Sequence, residues 1–261
     1  MKSNLILRHA IMLFAFLALG SADLYAQTNR ASQPSSKEAT EKIVRDYILK
    51  NPEIIRAALA ALDAKEATEK LRLAAFTLKS KQKEIFSTAG DPVGGNPDGD
   101  VSVAVFFDYA CGYCKKTLPK LNTLLANDRS LRVVYKEFPI LGPQSEKAAR
   151  AALAAGRQGK YVAFHNALIE SADISDETIK AIAATLQLNY EVLLKDMKDP
   201  ALEAMIANNY ELANSLDING TPAYVIDDQI IPGAIDSAAL AKIVEAHRAK
   251  NKNVAPVGAS R

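Results

Sequence analysis

The chain has 261 residues and a net charge of +2, from 32 Lys and Arg against 30 Asp and Glu. That balance excludes the strongly basic surface that nucleic acid or an acidic lipid face would require. The length leaves room for one sizeable domain and an appendage, and two cysteines in all are too few to build a scaffold of disulfides.

The N-terminus reads as an export signal. Lys2 and Arg8 supply a positive start, and residues 10–20 (AIMLFAFLALG) form an apolar run too short to span a bilayer comfortably. Leu24-Tyr25-Ala26 offers cleavage before Gln27, with Ala22 as the alternative, and an uncleaved anchor is the competing reading. Residues 1–26 are therefore expected to be a signal peptide and the mature protein to be periplasmic. Residues 27–37 (QTNRASQPSSK) are polar and read as a disordered linker.

Residues 38–88 read as helical. Ile43, Val44, Tyr47 and Ile48 make one short apolar face. Asn51 as N-cap with Pro52 at the first helical position then predicts a second helix running to about Phe86 without internal glycine or proline. Ile54, Ile55, Ala58, Leu59 and Leu62 form one stripe on it; Leu71, Leu73, Ala74, Phe76 and Leu78 form a less regular one. Such stripes must be covered, either by the rest of the chain or by other copies. The reading adopted is an oligomerisation stalk, and the imperfect heptad fixes neither register nor subunit number.

Residues 89–99 (AGDPVGGNPDG) are dense in turn formers and mark entry to a second domain, 89–250. Residues 101–107 (VSVAVFF) have the β-branched and aromatic content of a buried strand, and residues 115–125 carry apolar side chains at helical spacing. Leu131 to Glu137 is a further strand, reached by a strand–helix–strand crossover that implies parallel pairing. Residues 143–216 read as a helical insertion punctuated at Gly156, Gly159, Ser175, Asn189 and Pro200. A short hairpin around Asp227-Asp228, a closing helix from Ser237 to about Lys250, and a loose tail at 251–261 complete the chain.

Cys111-Gly112-Tyr113-Cys114 lies at the junction between the first strand and its helix. Unpaired N–H groups and the helix dipole favour a thiolate there, the geometry of thiol–disulfide exchange. A structural disulfide closing so short a loop would constrain the unfolded chain very little. Half a zinc site would need two more ligands, and His9, His165 and His247 form no ligand pair at helical or knuckle spacing. No metal and no cofactor are expected. Asp108, read as an exposed strand-end carboxylate, is a candidate proton relay against the plainer reading of a solvated acid. Tyr109 is a candidate for the substrate groove against core packing. His165 reads as a packed or capping histidine.

Residues 106–115 (FFDYACGYCK), 135–143 (YKEFPILGP) and 220–224 (GTPAY) occur in the order of the active-site segment, second strand and cis-proline loop of the DsbA-like family. The chain resembles that family over about residues 85–250. With its added N-terminal helices it resembles the suppressor-of-copper-sensitivity C-type (ScsC-like) members. The resemblance implies an α/β thioredoxin fold with an inserted helical subdomain, preceded by an N-terminal helical oligomerisation segment. It implies Cys111 as the exposed exchanging sulfur and Cys114 as the buried resolving one. Gly112 and Tyr113 would tune them, and Thr221 with cis Pro222 would bind an extended substrate. The acid that the family usually carries six positions before the first cysteine is Val105 here, so another group must move the proton.

The Gly-Tyr pair, the Thr221-Pro222 loop and the stalk favour a disulfide isomerase or reductase acting on exported cysteine-containing proteins. A monomeric DsbA-like oxidase is the alternative within the same chemistry. A copper-binding or copper-tolerance protein using both thiolates is the alternative outside it, although Met197 and Met205 do not cluster. By resemblance, a DsbD-like or ScsB-like membrane thiol reductase would supply electrons, and the chain would form homo-oligomers.

Overall fold

The computed structural model describes residues 36–254. The expected signal peptide, most of the expected linker and the last residues of the expected tail lie outside the described residues. Contacts divide the chain into two units, 1–68 and 69–261.

The first unit holds α1 (Ser36–Lys50) and the start of α2 (Glu53–Ser80). The helix therefore begins two residues inside the expected linker. Asn51 does not act as the expected side-chain cap: its amide turns back and donates to the Tyr47 carbonyl at 2.8 Å. No residue of α1 is buried, and Ile43, Val44, Tyr47, Leu49, Ile55, Leu59 and Leu62 all stand exposed.

In the second unit α2 ends at Ser80, a turn follows, and the short α3 (Gln82–Phe86) carries Ile85 and Phe86 into the core. The expected single helix is thus broken. The sheet has five strands in the order β1-β3-β2-β4-β5: β1 (Val93–Gly95), β2 (Val101–Phe107), β3 (Leu131–Glu137), β4 (Ala223–Ile226) and β5 (Gln229–Pro232). β2 and β3 are parallel, from Val101 opposite Leu131 to Phe107 opposite Glu137, as the crossover required. The other pairings are antiparallel.

The turn-rich stretch 89–99 conceals β1. Gly94 faces Tyr135 so closely that a Cβ would come within 2.8 Å of its ring. Gly95 is left-handed at φ 72° with the Leu131 carbonyl 2.4 Å from where its Cβ would be. Glycine here lets an edge strand approach β3, which a propensity reading mistakes for loop.

β2 is buried on both faces from Val103 to Phe107, which explains the apolar run there; Ser102 is half-buried. Val103, Val105 and Phe107 pack with Leu118 and Leu121 of α4 (Gly112–Asn127). Ala104 and Phe106 pack on the opposite side with Ile85, Phe86 and Leu212. The insertion comprises α5 (Pro143–Arg157), α6 (Tyr161–Glu170), α7 (Asp176–Thr185), α8 (Tyr190–Asp196) and α9 (Pro200–Ser215). Ser175 and Asn189 cap α7 and α8, accepting from the Thr178 and Val192 amides at 3.2 and 3.1 Å. The closing helix α10 (Ser237–Val254) runs four residues past the expected end.

One charge pair sits inside this frame. Lys136 and Asp91 are both buried and paired, and the Lys136 ammonium also donates to the Glu84 carbonyl at 2.7 Å. Burial pulls both groups towards neutrality, the carboxyl upward and the ammonium downward, while each opposes that shift in the other. Lys136→Ala takes the ion-pair partner from a largely buried Asp91 carboxylate, leaving it Thr88 and the more distant Arg132, and should cost about 3 kcal/mol by urea unfolding. The double replacement Lys136→Met with Asp91→Ala should recover much of that loss, because no lone charge remains.

Candidate active site

β2 delivers the chain to Asp108, and the next three residues turn it into α4. The Asp108 carboxylate is 1% exposed rather than solvated. It accepts from the Ala110 amide at 2.6 Å, the Leu141 amide at 2.9 Å and the Ser145 hydroxyl at 2.7 Å. The expectation of an exposed acid is therefore corrected: its oxygens tie the active-site turn to the loop after β3 and the first turn of α5. Its carbonyl also accepts from the Cys111 amide at 3.1 Å.

Cys111 is the N-cap residue of α4, with extended backbone at φ −73° and ψ 114°. Its side chain makes no cap bond; the thiol instead donates to the Thr221 carbonyl at 3.2 Å. Both cysteines are free thiols. Cys111 is 7% exposed, well short of the open sulfur expected, and Cys114 is fully buried. Burial pushes the Cys114 thiol far above its ordinary range, the adjoining Cys111 adds to this, and the Asp108 amide and Thr221 oppose it.

The Thr221–Pro222 bond is cis, and Thr221 and Asp108 both lie against the cysteine pair, bringing this loop, α4 and the end of β2 together there. Gly112 has open space where a Cβ would stand. Tyr113 projects outward, 65% exposed, with the Lys116 ammonium 5.9 Å from its ring centre. Beside the pair lies an open cleft of 580 Å³ whose walls include Ala110, Lys115, Gln144, Ala172, Asp173 and Ile174. Lys115 is anchored there by donating to the Ser171 carbonyl at 2.5 Å.

Tyr109 does not line that cleft. It is 1% exposed and turned into the core, donating to Glu137 Oε1 at 3.0 Å and meeting His165 Nδ1 at 3.0 Å. Its place in a substrate groove is corrected accordingly. Tyr161 also donates to Glu137 Oε1, at 2.6 Å, while Oε2 is buried without a partner. Burial raises the Glu137 carboxyl to about 8, against the two tyrosine hydrogen bonds that lower it. His165 is packed among Phe107, Tyr135 and Tyr161, as the sequence reading had it, and burial lowers it to about 3. Sequence reasoning missed Glu137. The available signal was an acid ending a strand whose other residues are apolar or long enough to reach an edge.

Two thiols one turn apart at a helix N-terminus, faced by a cis-proline loop on a thioredoxin-type sheet, define the class of thiol–disulfide oxidoreductases. A family profile described as the DSBA-like thioredoxin domain matches residues 102–245, and the chain belongs to that family. A second, described as the copper resistance protein ScsC N-terminal domain, matches residues 37–69. A thioredoxin-like oxidoreductase from Silicibacter pomeroyi is 42% identical, covering 64% of this chain and 97% of that one at a TM-score of 0.62. ScsC from Proteus mirabilis in a transitional conformation is 30% identical, covering 83% of this chain and 98% of that one, also at 0.62. Among curated proteins, a sodium/proton antiporter NhaA from Salinispora tropica is 27% identical over 157 residues, 59% of this chain. The chain spans about a quarter of that relative's length, 24%. No helix among the described residues is long and apolar enough to cross a membrane.

The buried acid and imidazole give opposite pH dependences. Glu137 binds its proton more tightly folded than unfolded, so its contribution to stability falls as pH rises from about 4.5 to about 8. His165 binds its proton less tightly folded, so its contribution is lost as pH falls from about 6.5 to about 3. The stability of the native chain minus that of Glu137→Gln isolates the first effect. That difference should decline steadily in urea titrations between pH 5 and 8; a flat difference would mean that Glu137 titrates at an ordinary carboxylate value.

Proposed function

We propose that this protein is a periplasmic disulfide isomerase or reductase for exported proteins, working as a homo-oligomer through residues 38–88. The Cys111 thiol held against the Thr221 carbonyl at a helix N-terminus is the observation that carries the chemistry. A Cys111 thiolate attacks one sulfur of a substrate disulfide; the new S–S bond joins Cys111 to the substrate, and the other substrate sulfur leaves as thiolate. That thiolate then attacks elsewhere in the substrate, releasing Cys111 and rearranging the disulfide with no net oxidation. Alternatively Cys114 gives up its proton and attacks Cys111, releasing reduced substrate and leaving the pair oxidised. This second branch consumes two electrons, supplied on the present reading by a membrane thiol reductase of DsbD-like or ScsB-like type.

Thr221 and Pro222 would seat an extended substrate segment, with Gly112 and Tyr113 setting the potential of the pair. The burial of Cys114 supports a division of labour in which Cys111 meets substrate and Cys114 acts only within the protein. The exposed apolar residues of α1 and α2 support assembly, since an unpartnered row of this kind needs cover. Several catalytic pairs in one assembly suit isomerisation, where a thiolate must find the wrong disulfide repeatedly. The match of residues 37–69 to a copper resistance protein's N-terminal domain keeps a second reading in play, in which the paired thiolates hold Cu(I).

Reactivation of a scrambled, wrongly bridged substrate in redox buffer separates these readings. The mature chain should restore activity, Cys111→Ser should abolish it, and removal of residues 27–68, which spares the buried Leu78 and Ile85, should lower it severalfold or more. Oxidation of reduced substrate without reactivation would make the protein an oxidase. Stoichiometric Cu(I) binding without exchange activity would make it a copper carrier.

A further inference from the structure

At the far end of β4 from Pro222 the chain turns through Asp227 and Asp228 into β5, about 13 Å along the strand at its usual rise per residue. Asp227 is left-handed at φ 50°, and its carbonyl accepts from the Gln82 amide at 2.9 Å. α10 passes over this turn and presents His247 and Lys250, one helical turn apart, to the two carboxylates. A carboxylate oxygen from each aspartate and a ring nitrogen of His247 lie within 4.8 Å of one another.

The imidazole is the telling member. His247 is 8% exposed, and its Nδ1 is buried without a hydrogen bond. Its Nε2 lies 3.4 Å from the Gln229 side-chain Oε1, so an imidazole that donates there has Nδ1 free to serve as a ligand. Nδ1 faces Asp227 Oδ2 at 3.5 Å, beyond hydrogen-bond contact. The Lys250 ammonium meets Asp228 at 2.7 Å but stands 3.9 Å from Asp227, so one unit of positive charge is shared over two carboxylates. A small divalent cation answers all three donors at once.

We propose that Asp227, Asp228 and His247 Nδ1 form a binding site for a divalent transition-metal cation of the zinc class, separate from the two thiols. One imidazole and two carboxylates are a borderline donor set, which favours such a cation over magnesium or calcium. Gln229 orients the imidazole from the second nitrogen, and water completes the coordination. Lys250 competes with the metal and swings away when it binds. The bound ion ties the β4–β5 turn to α10.

The test uses the protein oxidised at Cys111–Cys114, so that neither thiolate competes, titrated with zinc chloride in a calorimeter. One saturable site is expected, weakened at least tenfold by Asp228→Asn and by His247→Gln, and tightened severalfold by Lys250→Ala. Magnesium chloride should give no saturable heat. Asp228 is exposed, so its variant decides the matter if His247→Gln fails to fold by circular dichroism. No saturable zinc binding, or an affinity unchanged in Asp228→Asn, would overturn the site, and so would magnesium binding of equal strength.

Discussion

The Asp108 carboxylate is the joint on which this site is built. Three donors from three different stretches of chain converge on its two oxygens: the active-site turn, the loop after β3, and the first helix of the insertion. A buried carboxylate is costly unless its lone pairs are filled, and here filling them fixes where α4 begins. Because α4 begins at Cys111, the same contacts aim one thiol at the cis-proline loop and sink the other beneath the helix. Chemistry and fold therefore share one anchor. The inserted helices are part of the active site in this sense, although they contribute no reacting atom.

Behind that joint lies a second polar cluster of Glu137, Tyr109, Tyr161 and His165. Its members face one another instead of water, and each is moved towards its neutral form by burial or by its partners. Neutrality is what lets an acid, an imidazole and two phenols sit in an aromatic core without a counter-ion. The cluster reaches the active-site turn through Tyr109, the residue after Asp108, and Glu137 also feels the charge of Asp108 itself. It thus supports the turn from the core side while Asp108 supports it from the insertion side.

The parts legible in the sequence were those governed by local pattern. The apolar run of β2, the crossover to β3, the cap at Ser175 and the helix break at Asn189 depend on neighbours in the chain, and each could be read there. The two-cysteine junction was legible for the same reason, since strand, turn and helix adjoin. The remainder depended on residues brought together by the fold. Asp108 looks like any acid at a strand end until Leu141 and Ser145 arrive. Asp227 and His247 are twenty residues apart, and only α10 lying across the hairpin makes them neighbours. β1 hid because its glycines serve a close approach to β3 that no propensity scale records. The break before α3 followed from the demand that Ile85 and Phe86 reach the core, which a composition rich in helix formers cannot express.

The slight exposure of Cys111 has a consequence for which proteins this one handles. With 7% of the residue open and its thiol turned to the Thr221 carbonyl, the proposed exchange would be hindered for a disulfide lying flush on a folded surface. On the proposed function, a client would present its sulfur on a strand loose enough to displace that contact and enter beside the loop. Native bridges, locked in rigid turns or buried cores, would then be sterically excused, whereas those of a misfolded or half-made chain would not. Selection at such a site would be a reading of conformation: the geometry of approach would spare finished proteins without any need to recognise their sequences.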